Sequence, residues 1–195
     1  GKIYSLVGPS GSGKSTLLNL ISLIDKPTRG FIKLDNFKIN ENDIDQKDTI
    51  RSKKIGIIYQ DKNLLSDFTT LENVYMARLS MSNNRKKAIM DAKSLIKKVG
   101  LEKRLDHFPS ELSGGESQRV AISRALINSP DIILADEPTG NLDHKNATEI
   151  FKLLFSLKNK KRIIIFATHN RYFADMSDCK LSLINGKVNT VNARN

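Results

Sequence analysis

Cysteine is nearly absent from the sequence, because Cys179 is the only one in 195 residues. A single cysteine cannot form an internal disulfide, and Cys179 has no cysteine or histidine neighbours at the spacing of zinc ligands. Neither a disulfide-stabilised secreted scaffold nor a zinc domain is therefore indicated. A reducing compartment such as the cytoplasm fits this cysteine usage best.

Long apolar runs are absent too. The longest ones, such as residues 163–167, fall far short of the roughly 20 apolar residues that a membrane-spanning helix needs. Any membrane portion must therefore lie on another polypeptide. No charged leader followed by an apolar segment opens the chain, which starts on the strand-like residues 3–7, so we expect a trimmed N terminus.

Size and composition are those of one compact domain, since 39% of the residues are hydrophobic and can form a core. The net charge of +11 could attract nucleic acid, nucleotide or an anionic membrane face. The lysines are spread along the chain, however, as in Lys86, Lys87, Lys93, Lys97 and Lys98. We therefore interpret the positive charge as a general feature of the composition, not as a binding surface, and we expect no nucleic-acid partner.

Hydrophobic periodicity in the first half predicts a strand at residues 2–7, a glycine-rich turn and a helix at about 14–24. Residues 30–34 and 37–39, separated around Asp35 and Asn36, predict a small antiparallel hairpin, and residues 54–59 predict another strand. Residues 61–112 lack strand alternation, and a helical stripe there predicts a helical insertion that Gly100 ends. The stripe consists of Ala88, Ile89, Ala92, Leu95, Ile96 and Val99.

The second half alternates helices and strands. Helices are predicted at about 115–128 and around 147–157, strands at 132–135 and 162–168, and a hairpin turn at Asn185-Gly186. This alternation predicts an α/β fold with a mainly parallel sheet that is covered on both faces. We expect a single domain with a core at 1–60 and 113–195 and a helical subdomain at about 61–112.

The first motif is a phosphate-binding loop between the first strand and the first helix. Its glycines allow successive amides to face phosphate oxygens, and the helix N terminus adds partial positive charge. Lys14 is expected to reach the β- and γ-phosphates, and the Ser15 hydroxyl to bind Mg²⁺. The expected ATP-binding residues are Gly8, Pro9, Ser10, Gly11, Ser12, Gly13, Lys14, Ser15 and Thr16.

The second motif is a pair of carboxylates, Asp136 and Glu137, at the end of the apolar run 132–135. This position is the carboxyl edge of the sheet, where open α/β folds bind ligands. Mg²⁺ is the natural partner of Asp136, and Glu137 is the candidate general base that polarises the attacking water. The alternative is an ordinary acidic cap on the next helix, which the following residues 138–140 permit.

The third motif, LSGGESQR at residues 112–119, resembles the signature of the ABC transporter ATPases. The resemblance covers essentially the whole chain, because six motifs follow one another in the family's order. They are the phosphate-binding loop, a Q-loop glutamine (Gln60), the signature, the acidic strand, a D-loop (residues 141–143) and a switch histidine (His169). It implies a P-loop NTPase fold that binds ATP and Mg²⁺ and hydrolyses ATP.

The resemblance also implies roles for individual residues. It assigns Gln60 to Mg²⁺ or the attacking water, His169 to the γ-phosphate and Asp143 to the dimer interface. Ser113, Gly114, Gly115 and Glu116 are assigned to the partner's ATP, because the amides at the start of that helix form a second phosphate-facing group. Two such chains are expected to form a homodimer with two-fold symmetry, beneath separate permease subunits at the cytoplasmic face of the bacterial inner membrane.

Three departures from the family pattern remain. Glu116 stands where glutamine is common, and residues 140–142 read Gly-Asn-Leu rather than Ser-Ala-Leu. We expect the upstream β segment, whose aromatic residue stacks on adenine in the family, to be missing, and Tyr4 lies inside a predicted strand. The departures at Glu116 and at residues 140–142 narrow the choice of subfamily within the family. The third departure leaves the residue that stacks on adenine unassigned.

Within the family, the stretches IIYQDKNLLSDFTTLENV, RLDHFPSELSGGESQRVAISRAL and ADEPTGNLD are similar to ATPases of bacterial lipoprotein-releasing systems. Macrolide-export and cell-division ATPases share much of them. We hypothesise that Leu64, Leu65 and Phe68 line a groove for a helix of the permease. The alternative is that they pack the core of the helical insertion. A chromosome- or ribosome-associated ATPase is disfavoured, because the chain has neither a long coiled coil between its motifs nor a second cassette.

Overall fold

A six-stranded sheet organises the computed structural model, which describes residues 1–35, 37–40 and 42–193. Its strands lie in the order β4-β5-β6-β1-β7-β8, and a separate two-stranded sheet pairs β2 with β3. The strands are β1 (Ile3–Val7), β2 (Lys33–Leu34), β3 (Phe37–Lys38), β4 (Ile55–Ile58), β5 (Ile132–Asp136), β6 (Ile163–Ala167), β7 (Cys179–Ile184) and β8 (Lys187–Ala193). The five strands β4, β5, β6, β1 and β7 are parallel to one another, and β8 is antiparallel to β7.

Helices cover the sheet and form the region between β4 and β5. They are α1 (Lys14–Ile21), α2 (Ile44–Lys54), α3 (Thr70–Leu79), α4 (Arg85–Lys98), α5 (Gly114–Leu126), α6 (His144–Ser156) and α7 (Arg171–Asp175). Short 3₁₀ turns lie at Glu102–Arg104 and Pro109–Glu111. The predicted α/β fold with a mainly parallel sheet and a small antiparallel region is confirmed.

Both faces of the sheet are buried, as the continuous apolar strands predicted. In β5, Ile133 and Ala135 face a core with α5, α6 and α7, whereas Ile132 and Leu134 face a core with α1. Phe151 of α6 stacks on Phe173 of α7, with 3.8 Å between the ring centroids. This stacking fixes α7 directly after β6.

A third apolar cluster joins α3, α4 and α5. All six residues of the stripe predicted between 88 and 99 belong to it. Gly100 takes a φ of 75° after α4, and its amide bonds to the Lys97 carbonyl at 3.0 Å, so it ends the helix as predicted. Helix α5 contributes Val120 to this cluster and Ile122 to the core on the sheet, so it connects the helical region to the sheet.

Several element bounds differ from the predictions. Helix α1 ends at Ile21, and the left-handed Leu23 follows it, whereas a helix to residue 24 was predicted. Helix α5 begins one residue earlier than predicted, at Gly114, and ends at Leu126. The β2–β3 hairpin is shorter than predicted, and Asn36 of its turn lies outside the described residues.

Helix α2 was not predicted at all. Its sequence, IDQKDTIRSKK, is almost entirely polar and has no apolar stripe, so periodicity gives no signal. The signal that was available is its cap, because Asp43 accepts a hydrogen bond from the Gln46 amide at 2.9 Å.

Within the described residues, no helix combines the length and apolar character that crossing a bilayer requires.

Candidate functional site

Four adjacent parallel strands bring the predicted site residues to one edge of the sheet. Gly8 follows β1, Gln60 lies two residues beyond β4, Asp136 ends β5 and His169 lies two residues beyond β6. These strands are neighbours in the order β4-β5-β6-β1, and their carboxyl ends point the same way. Residues that are far apart in the sequence therefore meet at the edge where α/β sheets bind ligands.

The loop between β1 and α1 needs glycine at particular positions. Gly11 and Gly13 have φ angles of 74° and 96°, which side chains with a Cβ rarely adopt. A methyl group at Gly8 would lie 2.5 Å from the Leu183 carbonyl oxygen. The loop therefore depends on glycine both for its turn and for its close packing on β7.

The start of α1 is suited to an anion. Its cap residue is the left-handed Gly13, and no side chain caps the helix N terminus. The Lys14 ammonium is buried and donates to the carbonyl oxygens of Gly8 and Pro9 at 3.1 and 3.0 Å. The Ser12 hydroxyl is buried without a hydrogen-bond partner in the described residues. Free donors and a buried ammonium at one helix end match the needs of bound phosphate.

Glu137 has an unusual backbone and an enclosed side chain. Its φ is 43°, and its amide donates to the Ala167 carbonyl at 3.1 Å, which ties the residue to the end of β6. Its Oε1 lies 3.3 Å from Nε2 of His169, but the geometry is not that of a hydrogen bond and Oε1 is buried without a donor. Burial raises the pKa of this carboxyl, and the nearby charges of His169 and Lys14 oppose that rise.

Gln60 lies against the loop that follows Glu137. A methyl group at Gly140 would lie 3.0 Å from Nε2 of Gln60, and the Gly140 amide donates to the Glu137 carbonyl at 3.0 Å. The glycine therefore allows the Gln60 side chain to approach the segment that carries the acidic residue. Sequence reasoning had assigned no role to this glycine.

The residues expected to hold Mg²⁺ are a hydroxyl, an amide and a carboxylate, from Ser15, Gln60 and Asp136. Among the described residues, no group of three or more His, Cys, Asp or Glu side chains could hold a metal ion. This donor set still fits Mg²⁺, which is usually held by only one or two carboxylates and takes most of its other ligands from water and phosphate.

The signature residues cap α5. The Ser113 amide donates to Glu116 Oε2 at 2.8 Å, and the Glu116 amide donates to Ser113 Oγ at 3.2 Å, which forms a capping box. Arg104 donates to the other Glu116 oxygen at 2.9 Å. The Ser113 amide and the Arg104 guanidinium lower the pKa of Glu116 to about 2. Gly114 and Gly115 therefore form the first turn of the helix rather than a loop before it.

The signature touches the D-loop region of the same chain. A methyl group at Gly115 would lie 2.8 Å from Oδ1 of Asn146, and one at Gly114 would lie 3.2 Å from Leu142. Asp143 caps α6 by accepting from the Asn146 amide at 3.0 Å, and these bonds lower the pKa of Asp143. Within the described residues, no hydrogen bond or ion pair joins residues 113–116 to residues 8–16 of the same chain.

The three apolar residues after Gln60 have different surroundings. Leu64 packs on the cluster of α3, α4 and α5, which matches the core alternative for this residue. Leu65 is 46% exposed and Phe68 is half-buried. The structure therefore separates Leu65 from the other two as a side chain that faces outward.

Sequence reasoning missed two residues that shape this region. The buried Asn73 donates to the carbonyls of Leu65 and Phe68 at 3.0 and 2.8 Å and accepts from the Leu65 amide at 2.8 Å. Arg124 donates to two carbonyls of the segment just after Gln60. Both residues lie in stretches that carry the family resemblance, but no role was predicted for either one, because their partners are backbone atoms of a loop.

The fold and the site together define a P-loop ATP-binding domain with a signature helix. The family model for ABC transporters matches residues 1–140 of the chain. The lipoprotein-releasing system ATP-binding protein LolD of Rickettsia bellii is 47% identical over 190 residues, which cover 97% of this chain and 84% of that protein. LolD of Cytophaga hutchinsonii is 42% identical over 189 residues, which cover 96% of this chain and 86% of that protein.

Among solved structures, the dimeric bacterial ABC transporter cassette MJ0796 superposes with a TM-score of 0.86 and 39% identity, over 98% of this chain and 86% of that one. A second dimeric structure of MJ0796, described as a post-hydrolysis state bound to ADP and phosphate, also gives a TM-score of 0.86. This chain belongs to the ABC transporter family and is an ATP-binding ATPase domain of it. The resemblance drawn from the signature and the order of the motifs is confirmed.

Proposed function

We propose that this chain is the ATPase subunit of a lipoprotein-releasing transporter and drives a separate membrane permease at the cytoplasmic face of the bacterial inner membrane. Relatives that are 42% and 47% identical carry the name of that system. The permease that this proposal requires is a separate polypeptide, which supplies the path for the cargo.

The observation that carries the catalytic part of the proposal is the 3.3 Å approach of the partly buried Glu137 carboxylate to the exposed His169 imidazole at the edge of the sheet. The Glu137 carboxylate has one oxygen free of donors and lies near the Lys14 ammonium, whose charge acts on its pKa. We assign Glu137 to polarise the attacking water and His169 to bind the γ-phosphate, which keeps both groups close to the bond that breaks.

Phosphate binding is assigned to residues 8–16, with Lys14 on the β- and γ-phosphates. Ser15, Gln60 and Asp136 would hold Mg²⁺, which, when bound, neutralises charge on the phosphate oxygens. To reach a γ-phosphate, the Lys14 ammonium must exchange its bonds to the Gly8 and Pro9 carbonyls for bonds to phosphate. This exchange keeps the buried charge hydrogen-bonded at every stage.

We further propose a homodimer in which Ser113, Gly114, Gly115 and Glu116 bind the ATP of the partner. In support, Ser113 and Gly114 are exposed at the start of α5. The capping box uses the amides of Ser113 and Glu116, which leaves those of Gly114 and Gly115, in the first helical turn, for a phosphate. Asp143 lies beside this turn through Asn146, so the D-loop and the signature would approach a partner together. The division into a core (1–60 and 113–195) and a helical subdomain (about 61–112) remains a prediction.

The test is co-purification of the full chain from its native membrane, with the bound subunits identified by mass spectrometry. The proposal expects permease subunits of a lipoprotein-releasing system, and release of a lipoprotein from vesicles only when ATP and Mg²⁺ are supplied. Recovery of a macrolide-export or cell-division partner instead would overturn the assignment to lipoprotein release, while leaving the ATPase assignment intact.

A further inference from the structure

Arg124 connects the signature helix to the segment that follows Gln60. It lies near the C-terminal end of α5, the helix that begins at the signature. Its Nη2 donates to the Lys62 carbonyl and its Nη1 to the Asn63 carbonyl, each at 2.6 Å. One planar guanidinium therefore binds two successive carbonyls of a turn about 60 residues earlier in the chain.

The turn that Arg124 holds is conformationally unfavourable by itself. Lys62 and Asn63 have φ angles of 57° and 47°, so two successive residues with side chains lie in the left-handed region. Such residues persist only where their surroundings hold them. The Lys62 amide donates to the Tyr59 carbonyl at 3.2 Å, which closes the turn around Gln60 and Asp61.

Arg124 is itself committed to this position. Burial lowers the pKa of its guanidinium, and the charge of Arg124 in turn opposes the rise that burial causes in the pKa of Tyr59. A partly buried cation without hydrogen bonds is costly, so the two carbonyls also stabilise Arg124. The turn and the guanidinium therefore support each other, and neither is expected to keep its place alone.

The position of this turn determines where Gln60 lies. Gln60 sits between Tyr59, whose carbonyl closes the turn, and the two left-handed residues. Its amide group packs on Gly140, whose own amide bonds to the Glu137 carbonyl. A shift of the turn is therefore transmitted, through one side chain, to the segment that carries the acidic residue.

We propose that Arg124 is a positioning residue for ATP hydrolysis, which holds the turn at Lys62 and Asn63 and thereby places Gln60 beside the segment of Glu137. The proposal rests on the role assigned to Gln60 in the proposed function. Because Arg124 stands on the signature helix, any movement of α5 is passed directly to Gln60.

Arg162 offers a matched control. It too is partly buried, its pKa is also lowered by burial, and it donates to two carbonyls, those of Pro130 and Leu157 at 3.0 and 3.2 Å. Those carbonyls lie at the opposite ends of β5 and β6 from the site. Arg162→Ala should therefore cost comparable stability without changing the kcat of the folded protein.

The experiment is a double-mutant cycle on the steady-state kcat and KM for ATP of the full chain, with folded fraction measured by circular dichroism. Arg124→Ala is expected to lower kcat about tenfold and to leave the KM for ATP within about twofold, since 1.4 kcal/mol in the barrier corresponds to a factor of ten. Arg124→Lys, which can bind one carbonyl, should recover part of kcat. In a Gln60→Ala background, Arg124→Ala should lower kcat no further.

A second measurement reports on the turn directly. Limited digestion with trypsin should cut after Lys62 faster in Arg124→Ala than in the wild type, relative to the cut after Lys160, and Arg162→Ala should not show this change. If Arg124→Ala and Gln60→Ala lower kcat independently, so that their effects multiply in the double variant, the inference about Arg124 is overturned. The role of Gln60 is then unaffected. A wild-type kcat in Gln60→Ala would overturn both the positioning role of Arg124 and the role of Gln60, because Arg124 is proposed to act on hydrolysis through Gln60.

Discussion

The Glu137 carboxylate and the His169 imidazole lie 3.3 Å apart, at the ends of two neighbouring parallel strands. The backbone joins them as well, since the Glu137 amide donates to the Ala167 carbonyl. The backbone bond ties Glu137 to the end of β6, two residues before His169. A partly buried carboxylate with a free oxygen near an imidazole suits a residue that polarises water.

Glu137→Gln is expected to keep ATP binding and to lower turnover by roughly 10²- to 10⁴-fold, the usual contribution of a positioned general base. The amide has the same shape, so the fold and the nucleotide affinity should change little. Binding is measured with a fluorescent ATP analogue and turnover by phosphate release. Glu102→Gln, at an exposed position in a 3₁₀ turn, is the control. Steady-state hydrolysis near the wild-type rate in Glu137→Gln would contradict the assignment.

Gly115→Ala is expected to destabilise the chain by about 1–3 kcal/mol, because the new methyl group would meet Asn146 Oδ1 at 2.8 Å. Adding Asn146→Ala should remove the clash and recover much of that loss, although the single Asn146→Ala variant should itself be mildly destabilised. The free energy of unfolding is measured by urea denaturation for the four members of the cycle. Additive effects would show that the two residues do not touch, and the described contact would then be wrong.

The pH dependence of stability should report on Glu116. Its pKa is lowered from 4.5 to about 2 in the folded chain, so its carboxylate stabilises the fold above pH 4.5 and this stabilisation is lost as the pH falls toward 2. Glu116→Gln can still accept the Ser113 amide bond but carries no charge for Arg104. Between pH 5 and 3 we therefore expect the free energy of unfolding to fall less steeply in Glu116→Gln than in the wild type.

Urea denaturation at several pH values within this range measures the difference. Glu102→Gln again serves as the control, because it removes a carboxylate that is exposed. If the free energy of unfolding depends on pH in the same way in the wild type and in Glu116→Gln, the Ser113 amide and Arg104 do not stabilise the charged Glu116 carboxylate. Rescue of the wild-type profile by Glu116→Asp is not expected, since the shorter side chain reaches only one of the two partners.

How far the sequence predicts this molecule depends on the kind of interaction. Apolar periodicity predicted β5 and the stripe on α4, since burial of apolar side chains leaves a repeating pattern. Helix α2 has no such pattern, and only its Asp43 cap marked it. The bonds of Asn73 and Arg124 go to backbone carbonyls, which every residue has, so no pattern in the sequence identifies their partners.

The site shows the same division. Gly8, Gly11 and Gly13 were predicted because phosphate binding by backbone amides requires glycine at fixed spacing. Gly115 and Gly140 are needed for another reason, the close approach of Asn146 and Gln60, and this depends on how distant elements pack. Glycines that belong to a local motif could therefore be predicted from the sequence, whereas glycines that allow contacts between distant elements required the three-dimensional structure.

Leu65→Asp is expected to leave the isolated chain folded and able to bind ATP, and to weaken its response to a permease. The reason is that Leu65 is 46% exposed, while Asn73 holds the backbone of its loop through buried hydrogen bonds. A charge placed on an exposed side chain costs little in the free chain but is expensive when a partner covers it without an opposite charge. Thermal unfolding, ATP binding and permease-stimulated ATP hydrolysis are the three measurements.

Two control variants make the outcome for Leu65 interpretable. Leu64→Asp places a charge in the cluster of α3, α4 and α5, so it should unfold the helical region and lower the melting temperature. Met90→Asp changes a side chain that is 71% exposed on α4, and it should affect neither stability nor the permease response. If Leu65→Asp behaves like Leu64→Asp, Leu65 belongs to the core of the helical region. If it behaves like Met90→Asp, the permease does not bind at this loop.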